Sequence, residues 1–253
     1  MRLSIFNIFR SRNVTNSLPP RIALIGVTGV GKSTTINALF STNLLVSTGV
    51  PGTKRDIATE VDMPSEPTEE EIQAPRGKLV VVDMPGLGES IAKDRQYLKI
   101  YKRALSRVDV ALWILDDDRD LAQVERYLQQ IKRMVPVDVF NRIVFCINKV
   151  DRLTGPDGRW LDEVNSPDTA MDRYINAHAQ RVSKIFHVSD RRVIPYSASK
   201  RYRLLALIRA IVSAVPRKRR SSLFQTVLLQ DRVELMDKQY QGEARRLFAE
   251  LTR

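Results

Sequence analysis

A lysine closing a glycine-rich run, between a short apolar stretch and a helical pattern, is placed to hold phosphate. The run is Gly26-Val27-Thr28-Gly29-Val30-Gly31-Lys32-Ser33, a GxxxxGK[ST] pattern. Phosphate oxygens need backbone N–H groups at close range, and glycine removes the side chains that would obstruct them. The N-terminus of the following helix adds favourable partial charge. Lys32 is the expected contact to the β- and γ-phosphates, and Ser33 the expected Mg²⁺ ligand. Gly26, Thr28, Gly29, Val30, Gly31, Lys32, Ser33 and Thr34 form the predicted phosphate-binding set.

Three more clusters follow in order. Asp83-Met84-Pro85-Gly86 ends an apolar run. Asp83 is expected to hold Mg²⁺, directly or through water, and the Gly86 N–H to sense the γ-phosphate. Asn148-Lys149-Val150-Asp151 ends another run. The Asp151 carboxylate can accept from the ring N–H and the exocyclic amine of guanine. Adenine presents an acceptor at the ring position, so a buried carboxylate facing it would stay unpaired. The expected ligand is therefore GTP or GDP, with the Lys149 stem packed over the base. Ser197-Ala198-Ser199-Lys200 is the fourth cluster, and its backbone N–H groups, at Ser197 and Ala198, are the expected donors to the guanine carbonyl. Each of the last three clusters is weak in isolation. Their order, each at the end of an apolar run, is what makes them a set.

The elements that must position these residues are legible as alternating patterns. Apolar runs at 21–26, 78–83, 108–115, 142–148 and 192–196 read as buried strands, with 57–62 as a further edge strand. Helical patterns occupy 32–40, 91–106, 121–134, 169–187 and 201–215. Strands alternating with helices predict a three-layer α/β domain with a mainly parallel sheet flanked by helices. The stretch 63–77, with four glutamates and three prolines, reads as a solvated loop, and 42–56 as a mobile one. The expected division is a basic arm at 1–20, a nucleotide-binding domain at 21–215, and a charged hinge with an amphipathic C-terminal helix at 216–253.

Composition narrows the class. No apolar run is long enough to cross a bilayer. Met1–Arg10 has no h-region or small-residue cleavage site, which argues against a signal peptide. One cysteine, Cys146, allows no internal disulfide and fits a reducing compartment, so the expected location is the cytoplasm. With only His178 and His187 besides, a zinc site has too few ligands. The net charge of +12 favours acidic partners, or simply a basic soluble surface. Arg217–Arg220 reads as a solvated linker rather than a nucleic-acid cluster. The arm at 1–9, with Leu3, Ile5, Phe6, Ile8 and Phe9, reads as a flexible strap or as a peripheral membrane contact.

The four clusters together resemble the P-loop small GTPases related to Era, septins and the immunity-related GTPases, over about residues 20–215. The stretch Val82–Ser90, Asp94, Tyr97, Tyr101 and Ala111-Leu112-Trp113 before Asp116-Asp117-Asp118-Arg119 resembles the bacterial YfjP/YeeP-like group more closely. The resemblance implies a G-domain fold, GTP hydrolysis with Mg²⁺, and Lys32, Thr53 and Gly86 as the residues acting on the γ-phosphate. Thr53 stands one position early for the switch threonine that binds Mg²⁺, and Thr59 is the alternative. Ras-type enzymes place a water-orienting glutamine after the DxxG glycine, whereas here Leu87 follows. The phosphate-loop asparagine that holds potassium in some relatives is replaced by Gly29. Slow intrinsic hydrolysis is expected, aided by a homodimer across the nucleotide face. Septin-like assembly and RNA or ribosome binding are the alternatives, although no GXXG segment follows the domain. The Asp116–Arg119 cluster reads as a solvated turn and helix cap.

Overall fold

The structure is a computed structural model that describes residues 19–27, 29–40, 68–74, 77–85, 87, 91–116 and 121–219. In chain order the elements are β1 (Arg21–Ile25), α1 (Lys32–Phe40), β2 (Thr68–Ala74), β3 (Gly77–Asp83), α2 (Ile91–Leu105), β4 (Val110–Leu115) and α3 (Leu121–Met134). They continue with α4 (Val137–Phe140), β5 (Ile143–Ile147), β6 (Trp160–Leu161), β7 (Ser166–Pro167), α5 (Thr169–Phe186), β8 (Val193–Pro195) and α6 (Leu204–Ala214). The main sheet runs β2-β3-β1-β4-β5-β8, parallel throughout except for β2, which pairs antiparallel with β3 at the edge. The chain leaves β1 for β3 on one side and then crosses to β4 on the other. That reversal opens a crevice at the carboxyl end of β1, where ligands of open α/β sheets bind.

Strands buried on both faces account for the unbroken apolar runs. All six residues of β4 are buried. Alternate side chains serve two separate cores. Leu112 and Val144 join α1 and α6 on one side of the sheet. Trp113 and Phe145 join α2, α3 and α5 on the other, where Phe145 sits 6.0 Å from Trp113 and 5.3 Å from Phe186 between ring centres. No described helix is long and apolar enough to cross a membrane.

The stretch 63–77 is not all loop: residues 68–74 form β2, registered from Thr68 opposite Asp83 to Ala74 opposite Gly77. Pro64, Pro67 and Pro75 misled the reading, yet all three lie outside the strand. An edge strand also tolerates glutamates, which discourage further pairing. The strand expected at 57–62 and the C-terminal amphipathic helix lie outside the described residues. Helix α6 starts at Leu204 rather than Arg201, because Arg201 and Arg203 take left-handed backbone angles (φ 57° and 56°) in a tight turn. Helix α5 is capped at Asp168, whose carboxylate accepts from the Met171 N–H at 2.7 Å and the Arg159 N–H at 3.0 Å. The Met171 hydrogen bond is the main reason its carboxyl is held below the usual range.

Arg219, expected in a solvated linker, is a structural residue. Its guanidinium donates to both Asp109 oxygens (2.9 and 3.1 Å) and to the Pro19 carbonyl (3.0 Å). Asp109 also accepts from the Arg21 N–H at 2.8 Å. The ion pair is largely shielded, so the hinge is tied to the first strand rather than free in solvent.

Candidate nucleotide-binding site

The four clusters converge at the carboxyl ends of β1, β3, β5 and β8. In the first, Gly26, Gly29 and Gly31 have φ of 147°, 86° and 96°. The left-handed region disfavours any side chain at 29 and 31. Gly31 is also a close-approach position, since a Cβ there would lie 2.3 Å from Asn148 Nδ2. Lys32 folds over the loop, its Nζ donating to the carbonyls of Gly26 at 3.0 Å and Val27 at 3.5 Å. The same ammonium lies 3.8 Å from Asp83 Oδ1. Burial pushes the Asp83 carboxyl up, and Lys32 partly opposes that. Ser33 and Thr34 begin α1 beside it. One turn further in, the buried Thr35 hydroxyl is 2.6 Å from Tyr196 Oη, which locks α1 to the end of β8.

Asn148 joins the two ends of this site. Its Nδ2 donates to the Val30 carbonyl at 2.8 Å, and its Oδ1 accepts from the Ala198 N–H at 3.1 Å. One buried amide thus ties the glycine loop to the fourth cluster. Removing it leaves a buried carbonyl and a buried N–H unpaired, each costing about 1–3 kcal/mol. Asn148→Ala is therefore expected to destabilise the fold by roughly 3 kcal/mol, seen as a lower urea midpoint, and to weaken nucleotide binding together with it. A stability unchanged within error contradicts this assignment.

Lys149 has a left-handed backbone (φ 61°) that turns the chain from β5 into a 3-10 turn at Val150–Arg152. Its Nζ lies 3.3 Å from Asp116 Oδ2. Asp116 is buried, so it is no solvated cap but the partner that anchors the Lys149 side chain. Asp117, Asp118 and Arg119 lie outside the described residues. At Asp151, Oδ1 is shielded from solvent and has no hydrogen-bond partner among the described residues. A buried carboxylate oxygen without a donor is costly unless a ligand supplies one. The guanine ring N–H and amine are donors of that kind.

Residues 21–149 match the family model described as 50S ribosome-binding GTPase. The chain belongs to this GTPase family. It is 30% identical over 152 residues to the protein YfjP of Escherichia coli strain K12, covering 60% of this chain and 48% of that one. It is 28% identical over 131 residues to GTPase Era of Thermoanaerobacter species strain X514, covering 51% and 39%. The chain spans less than half the length of these relatives. The solved structure of Toc33 from Arabidopsis thaliana shares the fold, with a TM-score of 0.51 at 14% identity, covering 79% of this chain and 86% of that one.

Several site features of this GTPase escaped the sequence reading. Tyr101 reaches from α2 to donate to the Pro85 carbonyl at 2.8 Å, fixing the segment after Asp83. The β6–β7 hairpin braces the fourth cluster from outside. Asn165 Nδ2 donates to the Lys200 carbonyl at 2.8 Å, and Lys200 Nζ reaches Asp162 at 2.7 Å. Within that cluster the Ser197 N–H donates to the Tyr202 carbonyl, and the Lys200 N–H to Ser197 Oγ. No short pattern marks two-residue strands, so only the polar Asp162 and Asn165 at the turn could have hinted at them. Leu87 is partly buried against the α2–α3 side of the core and lines a pocket behind the glycine loop with Val30, Trp113, Gln123 and Val124. Thr28, Thr53 and Gly86 lie outside the described residues.

Proposed function

We propose that this GTPase is a nucleotide-controlled switch that converts GTP to GDP and phosphate with Mg²⁺, slowly when alone. The observation that carries the base assignment is the unpaired, shielded Asp151 oxygen at the base end of the crevice. At the phosphate end, Lys32 and the backbone from Gly26 to Thr34 would bind the triphosphate. Ser33, Thr53 and Asp83 are oxygen donors of the kind Mg²⁺ takes. When bound, that ion supplies neutralising charge at the phosphates. The chain's own part is to orient the phosphates, read the base and pass the change to the Asp83–Leu87 segment, which Tyr101 connects to α2.

Leu87 supports slow turnover. An alkyl side chain orients no water, and Leu87 packs in part against the core. A second copy facing the nucleotide is the proposed aid. The second reading is a GTP-gated assembly protein in which hydrolysis is incidental, and Leu87 favours it as well. Phosphate release from GTP and Mg²⁺ should proceed at on the order of 10⁻³ s⁻¹ or slower, rising per molecule as protein concentration increases. Mass measured with GDP and with a non-hydrolysable GTP analogue separates the readings. Unchanged mass in both states removes assembly, and tight GTP binding with no phosphate release removes the hydrolase.

A further inference from the structure

Among the described residues, the two faces of the sheet carry very different charge. Helices α2, α3 and α5 lie side by side over one core, with α3 between the other two. The solvent side of α2 presents Arg95, Lys99, Lys102 and Arg103. That of α3 presents Arg126, Lys132 and Arg133, and that of α5 presents Arg173, Arg181 and Lys184. The three helices carry three acidic side chains, each with a partner, of which Asp172 remains 41% exposed. Asp94 is buried and takes the Tyr127 hydroxyl, Glu125 is half-buried beside His187, and Asp172 is held by Tyr202 and Arg203. None of the ten exposed cations forms an ion pair with a described residue. On the opposite layer, α1 and α6 expose one cation, Arg209.

Charge this one-sided is not needed for solubility, which a mixed surface supplies as well. The helix spacing makes the face about 20 Å wide, and the helix lengths make it about 25 Å long. It is a layer of three helices, and among the residues whose exposure is described no exposed position on it holds an aromatic or an apolar residue larger than alanine. The lack of aromatics removes the stacking platforms that single-stranded nucleic acid uses. A duplex is a cylinder and meets a stripe of such a layer. A planar sheet of phosphates meets all three helices at once.

We propose that the α2–α3–α5 face docks on an anionic lipid bilayer through headgroup phosphates, by charge alone and without insertion. Six of the ten cations are arginines, whose planar guanidinium pairs with phosphate in two-point fashion. The face flanks the sheet, so a docked molecule keeps its nucleotide edge open to solvent. Helix α2 belongs to both, through Tyr101 and the Pro85 carbonyl.

The test is flotation of the full chain with vesicles of phosphatidylcholine alone and with roughly one third phosphatidylserine. Binding to the anionic vesicles only, abolished by high salt, is expected. Each basic residue at such a surface contributes about 1 kcal/mol, so Arg103→Glu with Arg126→Glu and Arg181→Glu should lower partitioning on the order of 100-fold. The matching triple lysine variant should retain it. GDP binding by both variants verifies their fold, since none of the three residues touches the nucleotide site. Equal binding by the reversed variant, equal binding to neutral vesicles, or capture of duplex RNA with no vesicle binding would each overturn the proposal.

Discussion

Asp151→Asn is expected to turn a guanine-selective protein into a xanthine-selective one. The shielded oxygen at 151 has no donor of its own. In the proposed complex it takes one from the base, while the other carboxylate oxygen takes the second. An amide at this position presents an N–H where the guanine amine also presents one, and the two donors repel. Xanthine carries a carbonyl there and accepts. Sites built around such polar pairs discriminate by about 10⁴ or more, so GTP affinity should fall on the order of 10³-fold while XTP affinity rises. Competition of labelled GDP by GTP, XTP and ATP measures both changes. If the wild type and the variant bind GTP and ATP alike, the base assignment fails.

Lys32→Ala should remove tight nucleotide binding and leave the fold standing. The ammonium is the only cation described among the carbonyls of Gly26 and Val27 and the Asp83 carboxylate. Without it the loop has no fixed positive charge for a triphosphate, and Asp83 adds repulsion. A charge-assisted hydrogen bond is worth roughly 1.5–3 kcal/mol, and the lost attraction to several phosphate oxygens adds to it. A loss of at least about 100-fold in GDP affinity by calorimetry is expected. The thermal midpoint without nucleotide should move little, because the Asp83 carboxylate that loses Lys32 is half-exposed and can take water instead. Retention of affinity within a factor of ten contradicts the assignment.

The parts of the fold that could be read from residue order were those set by burial alone. Unbroken apolar runs such as Val110–Leu115 are too short for a buried helix and read as strands covered on both faces, and the helical periods between them mark the crossovers. Strand β2 resisted because its stability comes from pairing with β3, while its own residues, Thr68-Glu69-Glu70-Glu71-Ile72-Gln73-Ala74, advertise solvent. The start of α6 resisted because arginine at positive φ has no local signature. In the site, motif spacing named the residues but not their mutual bonds. That Asn148 holds Val30 and Ala198 together, and that Asp116 serves Lys149, are relations between distant segments, and only the sheet brings those segments into contact.

The bidentate clasp of Arg219 on Asp109 has a further effect. It also holds Pro19, so the polypeptide enters and leaves this domain at one spot, at the foot of β1. Nucleotide chemistry happens at the head of the same strand. Pro19 and Arg219 therefore stand at the end of the sheet opposite the glycine loop. Linking the domain at this foot to another protein should leave turnover intact, whereas grafting at the loops around the strand heads should not.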